Sequence, residues 1–573
     1  MASRLSTFLV ELKRRKVYHV AVVYVVVGFG VASGAQYVFE MAGFGIEPAQ
    51  IVAILVILGF PIALVLAWAY EVRPEELRKV EEGTEGLAEV PIAAERQSIV
   101  VLPFDNMSPD PGDAYFSDGL TEEIIASLSH LRALRVISRN SAMVLKGTQK
   151  DTRTIARELE VQYVLEGSVR KVGEDLRITA QLIDAASDEH IWSEKYDGVL
   201  DDVFGIQETV SRSIVKAMEL QILPDEERRL AEKPMKDLQA YECYLRAKGH
   251  IWQLSEDSHD RALELIERGL AIAPDSDLLW ALKGQIFFHH VDQMNRPPET
   301  YPGLLKEARS CADRALAINP SSAPAYELHG LVSQQSADPR GALRYFGRAL
   351  QLDPNSANAH LLGGFWRAAG GADLERARLL LERVAAIDPL TPMNKGAMGW
   401  FHMFEGEFDA ALEGWGDWQA EAERVKSPYR VFLAYFHAAV GNLDEAVRLI
   451  DQMISDSPQH TLTALGAFLK QAWLGDKGQS PGPLQERIEK ALWWDDGWSI
   501  LVTGGYALLG EDERAFKWLD HAIDCGISNV AFLQEGDPFL RRLRSLEPFP
   551  SLMEKAERLS RSLLDPPAPE PEA

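Results

Sequence analysis

The chain contains 573 residues, which is too long for one compact domain and predicts three or four. Its 85 acidic and 59 basic residues give a formal net charge of −26, and this balance argues against binding to nucleic acid, because polyphosphate would be repelled. The three cysteines, Cys243, Cys311 and Cys525, form no CxxC pair, which favours buried thiols over a disulfide framework or a zinc site.

Two long apolar runs follow a basic N-terminus that covers residues 1–16. Residues 17–39 contain no charged side chain, and the same holds for residues 51–70. Each run can cross a hydrocarbon core of about 30 Å as a helix. Lysine and arginine flank the outer ends of the two runs, whereas residues 40–50 between them contain neither. The positive-inside rule therefore predicts a two-helix transmembrane hairpin over residues 17–70, with everything after it in the cytoplasm.

The first apolar run permits two further interpretations. Residues 33–35 resemble a weak signal-peptidase site, although the run is long for a cleaved signal peptide. Gly30 and Gly34 have the GxxxG spacing that lets two helices approach closely. This spacing favours packing between the chain's own two helices, and the alternative is that two chains associate through Gly30 and Gly34. Residues 71–96 follow as a charged linker.

Residues 97–223 predict a small α/β domain. Runs of β-branched residues and strict alternation indicate strands, while amphipathic stretches indicate helices. Gly173, between two alternating runs, is part of a hairpin signal. The predicted elements are a strand over 98–104, a helix over 121–131, a strand over 135–138, a helix over 152–160, strands over 163–171, 176–183 and 190–196, and a helix over 203–220.

Five motifs in this region occur in the order expected for a known module. They are Val100-Val-Leu-Pro-Phe-Asp-Asn106, Phe116-Ser-Asp-Gly-Leu-Thr-Glu-Glu-Ile124, Val164-Leu-Glu-Gly-Ser-Val-Arg170, Ile178-Thr-Ala-Gln-Leu-Ile-Asp184 and Ile191-Trp-Ser-Glu-Lys-Tyr-Asp197. On these motifs the region resembles the TolB-like N-terminal domain, which is related to the flagellar FlgO family. The resemblance implies an α/β fold and a bacterial chain, and therefore a multi-pass protein of the bacterial inner membrane. It implies no established chemistry.

The polar loop after the first predicted strand is a candidate ligand site, because open α/β sheets often bind ligands beside the end of a strand. In the alternative interpretation, Asp118 and Thr121 cap the following helix and the other polar side chains are solvated. The residues themselves favour the second interpretation. The side chains that would converge in a ligand site are Asp105, Asn106, Asp118, Glu122 and Glu123.

Residues 237–560 show an internal period of about 34 residues. Successive helical stretches are predicted to end at Pro274, Pro320, Pro354 and Pro389, whose spacings are 46, 34 and 35. The first spacing includes an extra loop, and Pro458 lies about two further periods along the chain. One complete unit carries, ahead of Pro354, the residues Tyr326, His329, Gly330, Ala342, Phe346 and Ala349.

This pattern resembles the tetratricopeptide repeat (TPR), in which small residues lie where two paired helices cross closely. One such pair cannot bury its apolar face alone, so the resemblance implies an all-α superhelix with a concave groove. The predicted fold class is therefore multidomain: two transmembrane α-helices, a small α/β TolB-like domain and an all-α TPR superhelix. A Pro- and Glu-rich tail over residues 561–573 should be disordered.

Inward-facing positions on the first helix of each unit supply a candidate protein-binding groove. Chaperone-type TPR domains place Lys, Arg and Asn there to bind a terminal carboxylate, and this chain lacks that set. We therefore predict an aromatic-lined groove that binds a peptide or helix of a partner protein. In the alternative, half of these aromatic side chains pack between neighbouring repeats. The candidate residues are Phe288, His289, Leu331, Gln334, Phe365, Trp400, Phe404 and Tyr435.

Motifs for other chemistry are absent from the sequence: it contains no GxxxxGK[ST] loop, no GxSxG elbow and no HExxH helix. His289 and His290 with Asp292 could in principle bind a metal ion, but adjacent histidines point in different directions. We therefore expect no metal and no cofactor.

Three functions are compatible with this organisation. The first is a non-enzymatic, membrane-anchored scaffold that binds partner proteins through the TPR groove. The second is a membrane-tethered sensor, in which the TolB-like domain binds a small molecule and the repeats relay the signal. Such a chain would be a regulatory relative of TPR-containing adenylate cyclases without the cyclase domain. The third is an enzyme with an unrecognised site in residues 97–223. The residues favour the first function.

Overall fold

The computed structural model describes residues 97–564, apart from gaps at 111–112, 200–202, 232–234, 236, 252–255, 295, 392–393, 395, 476–483 and 495. All of these residues belong to one compact unit, Gly86–Ala573. A six-stranded sheet lies near the start of the unit, and most of the remaining chain is helical.

The described residues correct the predicted fold class. No helix in the part of the chain that the structure describes is both long enough and apolar enough to cross a membrane. The two predicted transmembrane helices, within residues 17–70, lie outside the described residues, as do Gly30 and Gly34. The fold class is therefore corrected to a mostly helical chain with a small sheet domain. The predicted multi-pass location in a bacterial inner membrane is corrected with it, because no described helix supports it.

The sheet is mixed. β1 lies between β3 and β4 and is parallel to both, and the short strand β2 also pairs with β4 in parallel. β5 and β6 extend the sheet as antiparallel neighbours. The turn between β4 and β5 contains Gly173 at a φ of +63°, which glycine adopts without strain. The strands are β1 (Gln97–Val101), β2 (Asp105–Asn106), β3 (Leu134–Val136), β4 (Tyr163–Val172), β5 (Asp175–Asp184) and β6 (Glu189–Val199).

Five helices accompany the sheet and form the sheet domain with it: α1 (Ala114–Ser129), α2 (Arg139–Val144), α3 (Thr152–Leu159), α4 (Val203–Ala217) and α5 (Pro224–Ala231). α1 begins at Ala114, so the predicted cap at Asp118 and Thr121 is wrong, because both residues lie inside the helix. The Thr121 hydroxyl instead accepts a hydrogen bond from the Phe104 N–H (3.0 Å) and donates one to the Ser117 carbonyl (2.8 Å). Thr121 therefore fixes the chain after β1 against α1.

Helical hairpins follow one another from Leu238 to Asp524, and the described residues contain eight of them. Pro274, Pro320, Pro354 and Pro389 each lie two residues beyond the end of a helix, which confirms the helix ends predicted from these prolines. The hairpins are α6 (Leu238–Ile251) with α7 (Glu256–Ile272), α8 (Asp277–Asp292) with α9 (Tyr301–Ile318), α10 (Ala323–Gln335) with α11 (Pro339–Leu352), α12 (Ala357–Gly370) with α13 (Leu374–Ile387), α14 (Ala397–Glu405) with α15 (Phe408–Arg424), α16 (Arg430–Ala439) with α17 (Leu443–Asp456), α18 (Thr461–Leu474) with α19 (Glu486–Trp493), and α20 (Ser499–Leu509) with α21 (Asp512–Asp524).

Glycine lies where the two helices of a hairpin cross. A Cβ atom added at Gly364 would lie 3.2 Å from the Ala377 carbonyl oxygen, and one added at Gly399 would lie 3.0 Å from the Ala411 carbonyl oxygen. Both distances are tighter than ordinary van der Waals contact, so a side chain at either position would separate the helices. This close approach is the reason that the repeat pattern requires a small residue there.

The sheet domain and the first hairpins share one hydrophobic core. Ile99 of β1 and Ile125 of α1 belong to the same buried cluster as Ile266 of α7 and Ile286 of α8. A second, larger core runs through the later hairpins into the C-terminal region. That region comprises a π-helical turn (Phe532–Gly536), two 3-10 turns (Pro538–Leu540 and Leu543–Ser545) and α22 (Pro548–Leu563).

Candidate functional site

Four of the predicted groove residues lie on three successive hairpins, and we name them the aromatic groove: Phe365 of α12, Trp400 and Phe404 of α14, and Tyr435 of α16. The ring centroid of Phe365 lies 5.3 Å from that of Trp400 and 5.4 Å from that of Phe404, both in edge-to-face geometry. Phe404 and Tyr435 are buried, with 1% and 0% of their surface exposed.

The other four predicted groove residues lie on earlier hairpins and do not join these rings. Phe288 of α8 is buried, and its ring contacts that of the half-buried His289 at 6.1 Å. Leu331 of α10 packs against the buried cluster that contains Phe288, and the Gln334 side chain is half-buried with its Oε1 lacking a hydrogen-bond partner. The protein-binding role of all eight residues stays a prediction.

Part of the aromatic groove is covered by the chain itself. Residues 528–540, which we name the C-terminal segment, cross the ends of α12 and α14 and reach Tyr435 of α16. The Phe532 ring packs against Phe404 with centroids 5.3 Å apart, and the Phe539 ring lies 4.8 Å from that of Tyr435. A later part of the chain therefore covers Phe404 and Tyr435, whereas Trp400 packs within the repeats, against Trp415 and Phe432.

One buried hydrogen bond ties the groove to this segment. The Tyr435 hydroxyl donates to the Asp537 carboxylate over 2.6 Å, and both residues are 0% exposed. Burial raises the pKa of the Asp537 carboxyl to about 6, although hydrogen bonds from Tyr435 and from the Phe539 N–H lower it in part. A carboxylate at this depth depends on those donors, because water cannot solvate it.

The predicted ligand site in the sheet domain does not assemble. Asp105 is exposed, and Asn106 accepts a hydrogen bond from the backbone of its own loop at Ser108. The Asp118 carboxylate is paired with Lys146 at 2.6 Å. Glu122 and Glu123 instead contact Lys248 and Tyr241 of the first hairpin, so the five predicted side chains do not share one set of partners.

Glu122 and Glu123 form a buried charge cluster at that junction. Glu122 forms ion pairs with Arg139 at 2.7 Å and with Lys248 of α6. Burial acts to raise the pKa of the Glu122 carboxyl, but the two cations outweigh it and hold the pKa below its ordinary value. Burial raises the pKa of Glu123 to about 7, since the nearby Lys248 offsets only part of it. The pKa of Glu122 therefore lies below the ordinary value of a glutamate, and the pKa of the adjacent Glu123 lies above it.

Two residues of the array, Asn355 and Asp388, also hold the sheet domain, and sequence reasoning missed both. The Asn355 side chain donates to the Ser129 and Leu134 carbonyls at 3.0 Å each and accepts from the Val136 N–H at 3.3 Å. Asp388 accepts a hydrogen bond of 2.6 Å from the hydroxyl of Ser138 and a further one from Ser141. Both follow the end of a helix beside a proline, which was the only local signal.

Potential metal ligands are close together at one place in the described residues. His402, Glu405 and Glu407 have ligand atoms within 4.8 Å of one another, but all three are half or fully exposed and nothing else marks a site. His289 and His290 both lie edge-on to the His259 ring, at 5.6 and 5.4 Å, and form no such group with Asp292.

Comparison with known proteins characterises parts of the chain. Residues 95–212, which cover most of the sheet domain, match the family described as the second domain of HilA/YgeH-like transcriptional regulators. A curated relative, a candidate adenylate cyclase (adenylate cyclase 3) of Rhizobium meliloti (strain 1021), is 44% identical over 179 residues. That match covers 31% of this chain and 30% of the relative, so the chain spans under a third of the relative's length.

Two solved structures are also similar to parts of the chain. TolB from Acinetobacter baumannii is 17% identical, with 22% of this chain and 29% of that chain covered and a TM-score of 0.18. PilW, a widely conserved type IV pilus biogenesis factor, is 21% identical, with 39% of this chain and 96% of that chain covered and a TM-score of 0.30. These TM-scores are too low for either likeness to indicate the fold or the function of this chain.

Proposed function

We propose that this chain is a non-enzymatic scaffold that binds partner proteins through its helical repeat array. The observation that supports this function is the stack of eight hairpins within the described part of Leu238–Asp524. Hairpins stacked in this way present a long surface on which equivalent positions recur, and such surfaces suit extended contacts with other proteins. Adenylate cyclase activity is not part of the proposal, because the relative of that name matches 31% of this chain.

The test is to identify the proteins that the purified full-length chain captures and then to map where each one binds. Hydrogen exchange of the chain with and without the partner locates the protected amides. We expect protection within residues 238–524. A partner that binds with protection confined to residues 97–231 would contradict the array as the binding platform.

A second candidate function, a ligand sensor, is supported by the buried charge cluster between α1 and α6. Because Lys248 of the first hairpin is paired with Glu122 of the sheet domain, a ligand that shifted α1 would alter the contact with the array. The test is a thermal-shift screen of the full-length chain against small molecules. A saturable shift that is lost in Lys248→Met would support the sensor, and a shift that persists in Lys248→Met would contradict this coupling.

A further inference from the structure

The C-terminal segment is held by the ends of the repeat helices rather than by regular structure of its own. The N–H groups of Ser528 and Asn529 both donate to the Ala369 carbonyl near the end of α12, at 2.9 and 2.8 Å. Beyond them the described backbone forms single turns, Phe532–Gly536 and Pro538–Leu540, instead of a long helix. The end of α12 therefore anchors the start of the segment.

Asn529 connects two helices with one side chain. Its Nδ2 donates to the carbonyl oxygens of Ala368 (3.1 Å) and Phe404 (3.0 Å), near the C-terminal ends of α12 and α14. Carbonyls in the last turn of a helix lack an intrahelical donor, so they accept from whatever segment passes over them. The ends of α12 and α14 therefore bind the Asn529 amide through backbone carbonyl groups, which every helix end provides.

Two glycines allow the segment to pass this close. Gly371 and Gly406 follow α12 and α14 at φ values of +68° and +79°, which end those helices. A Cβ atom at Gly371 would lie 2.7 Å from Asn529 Cα, and one at Gly406 would lie 2.7 Å from Gly536 Cα. Glycine at these two positions thus leaves space for the backbone of another segment beside the ends of α12 and α14.

We propose that the aromatic groove is a peptide-binding site whose resident occupant is the C-terminal segment. The partner that it fits is a protein segment with the same chemistry: an amide side chain, an aromatic ring three residues later and an acidic side chain five residues after that. These are the properties of Asn529, Phe532 and Asp537, which contact the helix ends, Phe404 and Tyr435 respectively. The proposal rests on the proposed binding role of the array and names its partner.

The occupant and a partner compete for one site. A covalently attached segment has an effective concentration on the order of millimolar, so a free peptide binds well only when the attached segment is weakened. Asn529→Ala removes two hydrogen bonds between the segment and the helix ends, and a third within the segment from the Phe532 N–H, and it leaves every groove residue unchanged. Asn442→Ala is the matched control, because Asn442 caps α17 through the Glu445 N–H and does not contact the segment.

The probe is a fluorescein-labelled peptide of residues 526–546, measured by anisotropy against the full-length chain. We expect Asn529→Ala to bind the probe at least tenfold more tightly than the wild type, and Asn442→Ala to bind it as the wild type does. Adding Tyr435→Phe to Asn529→Ala should leave most of the gain in place, because the attached segment and the probe lose the same donor to Asp537. A folded Asn529→Ala chain that binds no better than wild type overturns the proposal.

Hydrogen exchange of the wild-type chain decides the question if Asn529→Ala fails to fold. Amides of residues 528–540 should exchange at least tenfold faster than those of α16, since the segment must open while the groove helices stay folded. Equal protection would mean that the segment leaves only on global unfolding, and the proposal would fall. Partners that bind elsewhere on residues 238–524 would then still support the scaffold.

Discussion

At the scale of single residues, the neighbouring glutamates of α1 show how position decides charge. Glu122 and Glu123 differ by one place in the sequence and both are buried, at 8% and 7% exposure. Glu122 meets Arg139 and Lys248, so its ionised form is favoured over the neutral form. Glu123 accepts hydrogen bonds from Gln207 and Tyr241, and burial still raises its pKa to about 7. Composition does not distinguish the two, because the difference comes from partners distant in sequence.

Glu123→Gln should change how stability depends on pH. The folded-state pKa of Glu123 lies above its unfolded value of 4.5. The contribution of Glu123 to the free energy of unfolding is therefore fully present below about pH 4.5 and is lost as pH rises through about 7. The amide cannot ionise, so the variant should match wild type near pH 5 and exceed it near pH 8, by on the order of 2–3 kcal/mol. Thermal unfolding at pH 5, 6, 7 and 8 measures this difference. A constant difference across that range would contradict the raised pKa.

Glu122→Gln is the matched control, and it should change the stability at neutral pH in the opposite direction. The pKa of Glu122 lies below its ordinary value, so its carboxylate stabilises the fold above the unfolded pKa and this contribution is lost as pH falls. The amide would leave Lys248 and Arg139 buried without their anion. The variant should therefore be less stable than wild type at pH 7, by about 3 kcal/mol or more. Equal stability of the two variants at pH 7 would contradict the difference in pKa between the Glu122 and Glu123 carboxyls.

At the scale of elements, the crossing of α14 and α15 shows which glycines the repeat needs. Gly399→Ala would place a Cβ atom 1.8 Å from the indole of Trp415, which is 0% exposed and cannot move aside. We expect destabilisation by about 2–3 kcal/mol. Gly416→Ala on α15 is the control: open space surrounds it, so helix propensity should stabilise the chain by about 0.5–1 kcal/mol. The midpoints of urea unfolding for the two variants should move in opposite directions.

The loop after α11 supports a second prediction about elements. Asn355→Ala would leave the Ser129 and Leu134 carbonyls without the donors that now reach them in a buried interface. The expected loss is about 2–4 kcal/mol, since each buried unsatisfied group costs about 1–3 kcal/mol. Asn319→Ala, which removes one part-buried bond to Asp277 and one exposed bond from the Ser321 N–H, should cost about 1 kcal/mol or less. Equal shifts in the urea midpoint would show that the Asn355 bonds do not hold the sheet domain.

Local signals explain which elements could be predicted. The prolines after four helices gave their ends correctly, because proline acts on its own neighbours. Gly399 and Ala411 identified a helix crossing because the repeat places them at fixed spacing. The start of α1 and the short helix α2 were missed, since neither has a strong cap-and-period signal. The groove residues follow from repeat positions and their binding role stays a prediction, but nothing in the sequence near Phe404 or Tyr435 indicates that Phe532 and Asp537 cover them.

At the scale of the whole molecule, the sheet domain depends on the array that follows it. Leu245 of α6 lies so close to Gly119 of α1 that an added Cβ atom would be 2.3 Å from it, and the buried cluster continues to Ile286. The sequence boundary near residue 223, set by the last predicted helix of the α/β domain, is therefore crossed by a continuous core. The sequence pattern identifies the strands and helices of the sheet domain, but it does not show that part of their apolar surface is buried against the first hairpins.

This shared core leads to a prediction about fragments. Residues 97–223 alone would expose the face of α1 that meets α6 and would leave Glu122 without Lys248, so they should bind a hydrophobic dye and unfold without a sharp transition. Residues 97–292 add the first hairpin and α8, which restores those contacts and should restore cooperative unfolding. Far-ultraviolet circular dichroism against temperature compares the two. If the shorter fragment melted as sharply as the longer one, the domain would be self-sufficient, and coupling through α6 could not relay a signal to the array.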